Sequence, residues 1–194
     1  MREIILWILS FISLFVSLFW LQVMYIKKKD KILANYYPSV SVLIPAYNEE
    51  KNVAKAINSV LNLDYPKNKL KIIVINDGSI DKTKEVASNF KEVLVLDNKH
   101  KGLGKASALN HGLKYVNTEL FAVLDADSEV GKDSLKKLVQ LFKDKKTAAA
   151  ISRIKVKNLH NTWTNIQRIE YILATFIRKL MSKMDTLHIT PGVL

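Results

Sequence analysis

The chain has 194 residues, 48% of them hydrophobic and 25% charged, and no cysteine. That is room for one membrane segment and one α/β domain but not for a second full domain, and it excludes disulfides and thiolate metal sites. The formal net charge of +12 fits nucleic acid, anionic lipid or an anionic small molecule equally, so the placement of the charges has to decide among them.

Residues 4–26 carry no charged side chain. As a helix this run is about 34 Å long against a hydrocarbon core of about 30 Å, so it can span. A cleaved signal peptide has a shorter apolar region ending in small residues at a cleavage site, and none precedes Lys27; an uncleaved anchor is expected over residues 1–30. Lys27, Lys28, Lys29 and Lys31 follow the run, while only Arg2, beside Glu3, and the amino terminus precede it. The positive-inside rule therefore predicts a single-pass anchor in the cell membrane, with the rest of the chain in the cytoplasm. The same lysines suit anionic lipid head groups.

After Tyr37 and Pro38 the pattern changes to short runs rich in Val and Ile, each followed by a turn and a helix-period segment. Strands are predicted at 40–44, 71–75, 93–96, 120–124 and 148–154, and helices at 50–61, 82–90, 105–116 and 132–142. This alternation implies an α/β domain with a mostly parallel sheet. In such sheets ligands sit beyond the carboxyl ends of the strands. There the first strand delivers Pro45, Ala46, Tyr47, Asn48 and Glu49, the second Asn76, Asp77, Gly78 and Ser79, and the fourth Asp125, Ala126, Asp127 and Ser128. Carboxylates gathered on one edge repel one another unless a cation or hydrogen-bond donors compensate.

Asp125 and Asp127, with one residue between them, offer two hard oxygen ligands that suit Mg2+ or Mn2+, although acidic pairs also form turns and helix caps. An EF-hand is excluded, because Val130 and Lys136 stand where it needs glycine and glutamate. Gly102-Leu103-Gly104-Lys105 fails both phosphate-loop patterns. The Walker pattern needs glycine at Lys99 and Ser or Thr at Ala106, and the dinucleotide fingerprint needs glycine at Ser107 and a place after the first strand of its unit. What remains is a glycine turn feeding a helix, with Lys105 either meeting an anion or solvated. Asp77-Gly78-Ser79 reads equally as a turn, and Asp81 as a helix cap.

Taken together and in order, Val40-Ser41-Val42-Leu43-Ile44-Pro45-Ala46-Tyr47-Asn48-Glu49-Glu50, Val74-Ile75-Asn76-Asp77-Gly78-Ser79, Gly104-Lys105-Ala106-Ser107-Ala108-Leu109-Asn110 and Leu124-Asp125-Ala126-Asp127-Ser128 resemble the family 2 glycosyltransferases of GT-A fold. Within them the chain is most similar to processive membrane synthases of the hyaluronan, chitin, cellulose and poly-N-acetylglucosamine type. The resemblance runs from about Pro38 to the last residue. It implies a GT-A, Rossmann-like nucleotide-sugar-binding domain over residues 38–158, preceded by one transmembrane helix. It further implies a UDP-sugar donor, Mg2+ or Mn2+, a saccharide or lipid-linked acceptor, and inverting transfer in polysaccharide synthesis. Pro45, Ala46, Tyr47 and Glu49 would line the nucleotide pocket and Asp77 would hydrogen-bond the uracil. Lys105 would lie near the ribose and diphosphate, Asp125 would contact the nucleotide sugar, and Asp127 would coordinate the metal.

In residues 159–194, Gln167, Glu170 and Tyr171 resemble the Gln-x-x-Glu-Tyr stretch of an interface helix in these synthases. Ile166, Ile169, Ile172, Leu173, Phe176 and Ile177 recur at helical spacing beside Arg168, Arg178, Lys179 and Lys183, as in an amphipathic helix on anionic lipid or an ordinary core-packing helix. Thr190-Pro191-Gly192-Val193-Leu194 resembles the start of the acceptor-side segment, so that segment is incomplete. The family's general-base motif and its Gln-x-x-Arg-Trp motif have no counterpart up to Leu194, and Asp185 and His188 match no family position. The expectation is a truncated or split synthase that binds donor and metal and has little transfer activity alone. Two alternatives are transfer to a polyprenyl phosphate and a non-catalytic nucleotide-sugar-binding subunit completed by a second chain. No nucleic-acid-binding module is recognisable, so nucleic acid is not an expected partner.

Overall fold

A computed structural model of the chain describes residues 1–26, 36–98, 104–157 and 161–184. The lysines of 27–31, Lys99, Gly102, Leu103, Asp185, His188 and the stretch 190–194 lie outside the described residues. The described residues form two compact units: a helical pair drawn from the two ends of the chain, and an α/β unit from its middle.

The α/β unit runs β1 (Val40–Ala46), α2 (Val53–Leu61), β2 (Leu70–Asn76), α3 (Thr83–Ser88), β3 (Val93–Asp97), α4 (Lys105–Leu113), β4 (Leu120–Val123) and α5 (Ser134–Val139). A 3-10 turn, Lys67–Lys69, leads into β2, and another, Gln140–Lys143, follows α5. The strands pair in parallel in the order β3-β2-β1-β4. Five residues in a row at the start of β1 are buried, as are the last five of β2. Continuous burial of this kind marks strands covered on both faces, and parallel crossovers supply that cover.

One face packs Val40, Val42 and Ile44 against Val53, Ala56, Ile57 and Val60 of α2, with Ala87, Leu135 and Val139 extending the cluster. The α2 residues fall at the 3.6-residue spacing of a single helical stripe. The opposite face packs Leu43, Ile73, Ile75 and Leu96 against Ala108 of α4. Here Gly112 permits the close approach: a Cβ at that position would lie 2.9 Å from two carbons of the Ile75 side chain. Tyr65, 5% exposed, donates its hydroxyl to the Pro38 carbonyl at 2.6 Å and so ties down the approach to β1.

No strand forms over 148–154, against expectation. The side chains there are exposed or half-buried, so the run Ala148-Ala149-Ala150-Ile151 gains too little apolar burial to be held in a ladder. The helix expected at 50–61 begins only at Val53, after a turn in which the N–H groups of Asn52 and Val53 both donate to the Glu49 carbonyl. The helix expected at 132–142 shortens to Ser134–Val139 and tightens into the 3-10 turn.

The helical unit consists of α1 (Arg2–Tyr25) and α6 (Thr162–Lys183). Helix α1 is long and apolar enough to cross a membrane, and Val23 is its one buried residue. A reciprocal capping box starts α6: the Asn161 side chain accepts from Thr164 N–H, and the Thr164 hydroxyl oxygen accepts from Asn161 N–H. At the other end, Lys183 Nζ donates to the carbonyls of Met24 at 2.7 Å and Val23 at 3.4 Å, satisfying acceptors that the end of α1 would otherwise leave without partners. Trp163, Ile166, Ile169, Ile172, Leu173, Phe176 and Ile177 of α6 are exposed.

Candidate functional site

The order β3-β2-β1-β4 reverses direction between β1 and β4, where α/β sheets of this kind open a crevice. Register aligns the carboxyl ends there: Ala46 stands opposite Asn76, and Asn76 opposite Asp97. The ladder between β1 and β4 continues as Leu124 N–H donates to the Leu43 carbonyl at 3.0 Å, bringing Asp125 to the same edge.

A cleft of about 550 Å³ opens at this edge, lined by Pro45, Ala46, Tyr47, Glu49, Asp77, Gly104, Lys105, Ala108, Asp125, Ala126 and Asp127. All eight residues singled out in the sequence are on its wall. Gly104, Ala108 and Ala126 were not singled out for the pocket. Gly104 opens α4 at φ +84°, a conformation that side-chain-bearing residues rarely adopt, and the glycine turn in the sequence signals it.

The two motif loops that follow β1 and β2 interlock. Asn48, in the left-handed region at φ 55°, accepts from Ile80 N–H at 3.0 Å, and its own N–H donates to the Ser79 hydroxyl. Glu49 N–H donates to the Thr83 hydroxyl at 2.7 Å, Glu50 N–H to Asp81, and Lys82 N–H to Glu50. Thr83 is fully buried. Burial by itself would raise the Asp81 carboxyl, but hydrogen bonds from the Thr83 hydroxyl and N–H and from Glu50 N–H outweigh it and hold the group below its ordinary value. Asp81 thus anchors the start of α3, as a capping residue does, and also joins the two loops.

The three acidic residues of the edge are compensated differently. Asp77, 4% exposed, accepts from Asn98 Nδ2 at 2.7 Å and from Gly104 N–H at 3.1 Å. Asp125 is ion-paired with Lys105. Asp127 is exposed and accepts from the Ser128 hydroxyl at 3.2 Å. Among the described residues no three carboxylates or histidines converge as a ready-made metal cage. Donors and Lys105 therefore supply much of the compensation that the sequence left open between cation and hydrogen bonds. The donor set that remains, Asp127 with Asp125 nearby, fits Mg2+ or Mn2+, which typically bind through one or two carboxylates together with waters and substrate phosphates.

Asn98 was missed by the sequence reading. It directly follows β3, so inspection of the third strand end, and not only the other three, would have found it.

A doubly wound parallel sheet with a polar, carboxylate-bearing cleft at its topological switch point defines a nucleotide-binding type of α/β domain. Residues 41–193 match the family described as Glycosyl transferase family 2, and the chain belongs to that family. It is 34% identical over 202 residues to the poly-beta-1,6-N-acetyl-D-glucosamine synthase of Staphylococcus epidermidis, covering 95% of this chain and 48% of that protein. It is 35% identical over 150 residues to the beta-monoglucosyldiacylglycerol synthase of a Nostoc species, covering 74% of this chain and 32% of that one. The mannosyltransferase PcManGT of Pyrobaculum calidifontis, solved with GDP-Man and Mn2+, superposes with a TM-score of 0.63 at 27% identity over 72% of this chain and 43% of its own. The α/β unit thus has the GT-A fold. The chain spans about a third to a half of the length of these curated relatives.

Proposed function

We propose that this chain is the donor-binding portion of a glycosyltransferase that takes a UDP-sugar with a divalent cation and serves inverting transfer in polysaccharide synthesis. The observation that carries this reading is the meeting of Pro45, Ala46, Tyr47, Glu49, Asp77, Lys105, Asp125 and Asp127 on one cleft. On this reading Pro45, Ala46, Tyr47 and Glu49 receive the nucleoside and Asp77 accepts a hydrogen bond from the base. Lys105 releases Asp125 to meet the diphosphate, as a mobile cation at the start of a helix suits an anion. Asp127, with Asp125, would hold Mg2+ or Mn2+. Such an ion supplies neutralisation of charge on the departing diphosphate.

Residues 38–158 would then form the donor domain, and residues 1–30 an anchor that leaves this domain in the cytoplasm. The exposed apolar stripe of α6 is consistent with an interface helix on lipid. A second reading, transfer to a lipid-linked acceptor, is favoured by the relative named as a glucosyldiacylglycerol synthase. A further chain completing the catalytic domain belongs to the same proposal.

Calorimetry of the detergent-solubilised chain with UDP-N-acetylglucosamine, UDP-glucose and GDP-mannose, each with and without Mn2+, tests the donor assignment. Tight binding of a UDP-sugar that depends on Mn2+ is the expected result; binding of none of the three would sink the reading. Supplying the acceptor classes and separating free polymer from lipid-linked product decides between the two transfers.

A further inference from the structure

Asn98 is 5% exposed and has no part in the cleft wall, yet both hydrogens of its side-chain amide are committed. Nδ2 donates to Asp77 Oδ1 at 2.7 Å and to the Ser107 hydroxyl at 3.2 Å. Its backbone N–H donates to the Asn76 carbonyl, and that of Asp77 to the Ala46 carbonyl, each at 2.9 Å. Gly104 N–H holds the other carboxylate oxygen. The carboxylate is thus clamped between the end of β3 and the start of α4. Each of its oxygens keeps further lone pairs, because an ionised carboxylate has about four acceptor sites.

We propose that Asn98 is a positioning residue for the base subsite, fixing the Asp77 carboxylate so that its free lone pairs demand an N–H donor from the nucleobase, with Ser107 holding Asn98 in turn. This rests on the reading of Asp77 as the base contact. An acceptor-only group fixed in place favours the imide N–H of uracil and opposes cytosine, whose ring nitrogen at the same position is itself an acceptor. Released from Asn98, the carboxylate turns and the discrimination falls.

Binding of UDP, CDP and Mn2+-pyrophosphate to the full chain, measured by calorimetry, tests it. Asn98→Ala should weaken UDP about tenfold, the scale of a hydrogen bond to a charged group, narrow the UDP-to-CDP ratio and leave Mn2+-pyrophosphate unchanged. Ser107→Ala should weaken UDP about two- to threefold, since it only loosens Asn98. Asn98→Asp supplies a readout that a purely structural role would not move. Two carboxylates in contact share a proton as pH falls, so UDP affinity of this variant should recover between about pH 8 and about pH 5.5, unlike that of the unsubstituted chain. The other charged groups on the cleft wall are Glu49, Lys105, Asp125 and Asp127; they are common to both proteins and cancel in that comparison. An unchanged UDP-to-CDP ratio in folded Asn98→Ala, or a pH-independent Asn98→Asp, overturns the positioning role alone. Absence of any UDP preference over CDP in the unsubstituted chain overturns the Asp77 assignment, and this inference with it.

Discussion

The carboxyl edge of the sheet and the surface of the helical pair satisfy their side chains in opposite ways. At the sheet edge nearly every polar group has a partner within the protein: Asn48 with Ile80, Glu49 with Thr83, Asp77 with Asn98, Asp125 with Lys105. Beneath it, Leu43, Ile44, Ile57 and Ile73 are sealed from solvent. Along α1 and α6 the large apolar side chains are exposed; the polar contacts include the Asn161 capping box and Lys183 at the helix ends, and Ser17 and Thr175, whose hydroxyls donate back to carbonyls of their own helices. The first region is complete in water. The second is ordered along its axis but unsatisfied around its circumference, which is the arrangement a lipid surface would complete on the proposed reading.

The contrast can be broken or sharpened by substitution. Leu43→Ala, in the centre of the sheet, should cost about 2–5 kcal/mol of stability by denaturant unfolding. Gly112→Ala forces a methyl against Ile75 and should cost about 1–3 kcal/mol unless the Ile75 side chain can swing aside, in the same measurement. Thr83→Val removes the acceptor of Glu49 N–H and a partner of Asp81 and should cost about 1–2 kcal/mol, with a matching rise in protease sensitivity of the two loops. Ile169→Ser, on the exposed stripe of α6, should change stability by under about 0.5 kcal/mol while lowering partition onto anionic vesicles. A large stability loss there would show that α6 packs as an ordinary core helix.

Acid sharpens the picture further. The Asp81 carboxyl is held below its ordinary value of 3.8, so its stabilising effect is fully present above that value and is lost as pH falls through the lower folded-state value. Unfolding followed below about pH 4 should therefore show an acid limb that Asp81→Asn flattens.

The Val- and Ile-rich runs revealed four strands to within two residues, because burial on both faces leaves continuous apolar stretches that alternate with helical stripes. The expected strand at 148–154 failed for the converse reason: its run of small and apolar residues stays exposed or half-buried, so no face of it is covered. The cleft was legible because Tyr47, Asp77, Asp125 and their neighbours each directly follow an apolar run. What joins them was not legible. The bond from Glu49 to Thr83 spans 34 residues and that from Asn98 to Asp77 spans 21, and no local spacing encodes either. Lys105 was visible as a cation at a helix start, but its pairing with Asp125 depends on the β1–β4 alignment.

The central strand β1 is the first to be synthesised, and its two neighbours arrive at very different times. Leu70 meets Val40 after 30 residues, whereas Leu120 meets it only after 80. Until that late partner emerges from the ribosome, one flank of the oldest strand presents an open row of backbone donors and acceptors, a template for wrong pairing. The carboxylates that follow β4 join the cleft after the β1, β2 and α4 residues, so a nascent chain halted before Leu120 would carry the wall formed by Tyr47, Asp77 and Lys105 without Asp125 and Asp127.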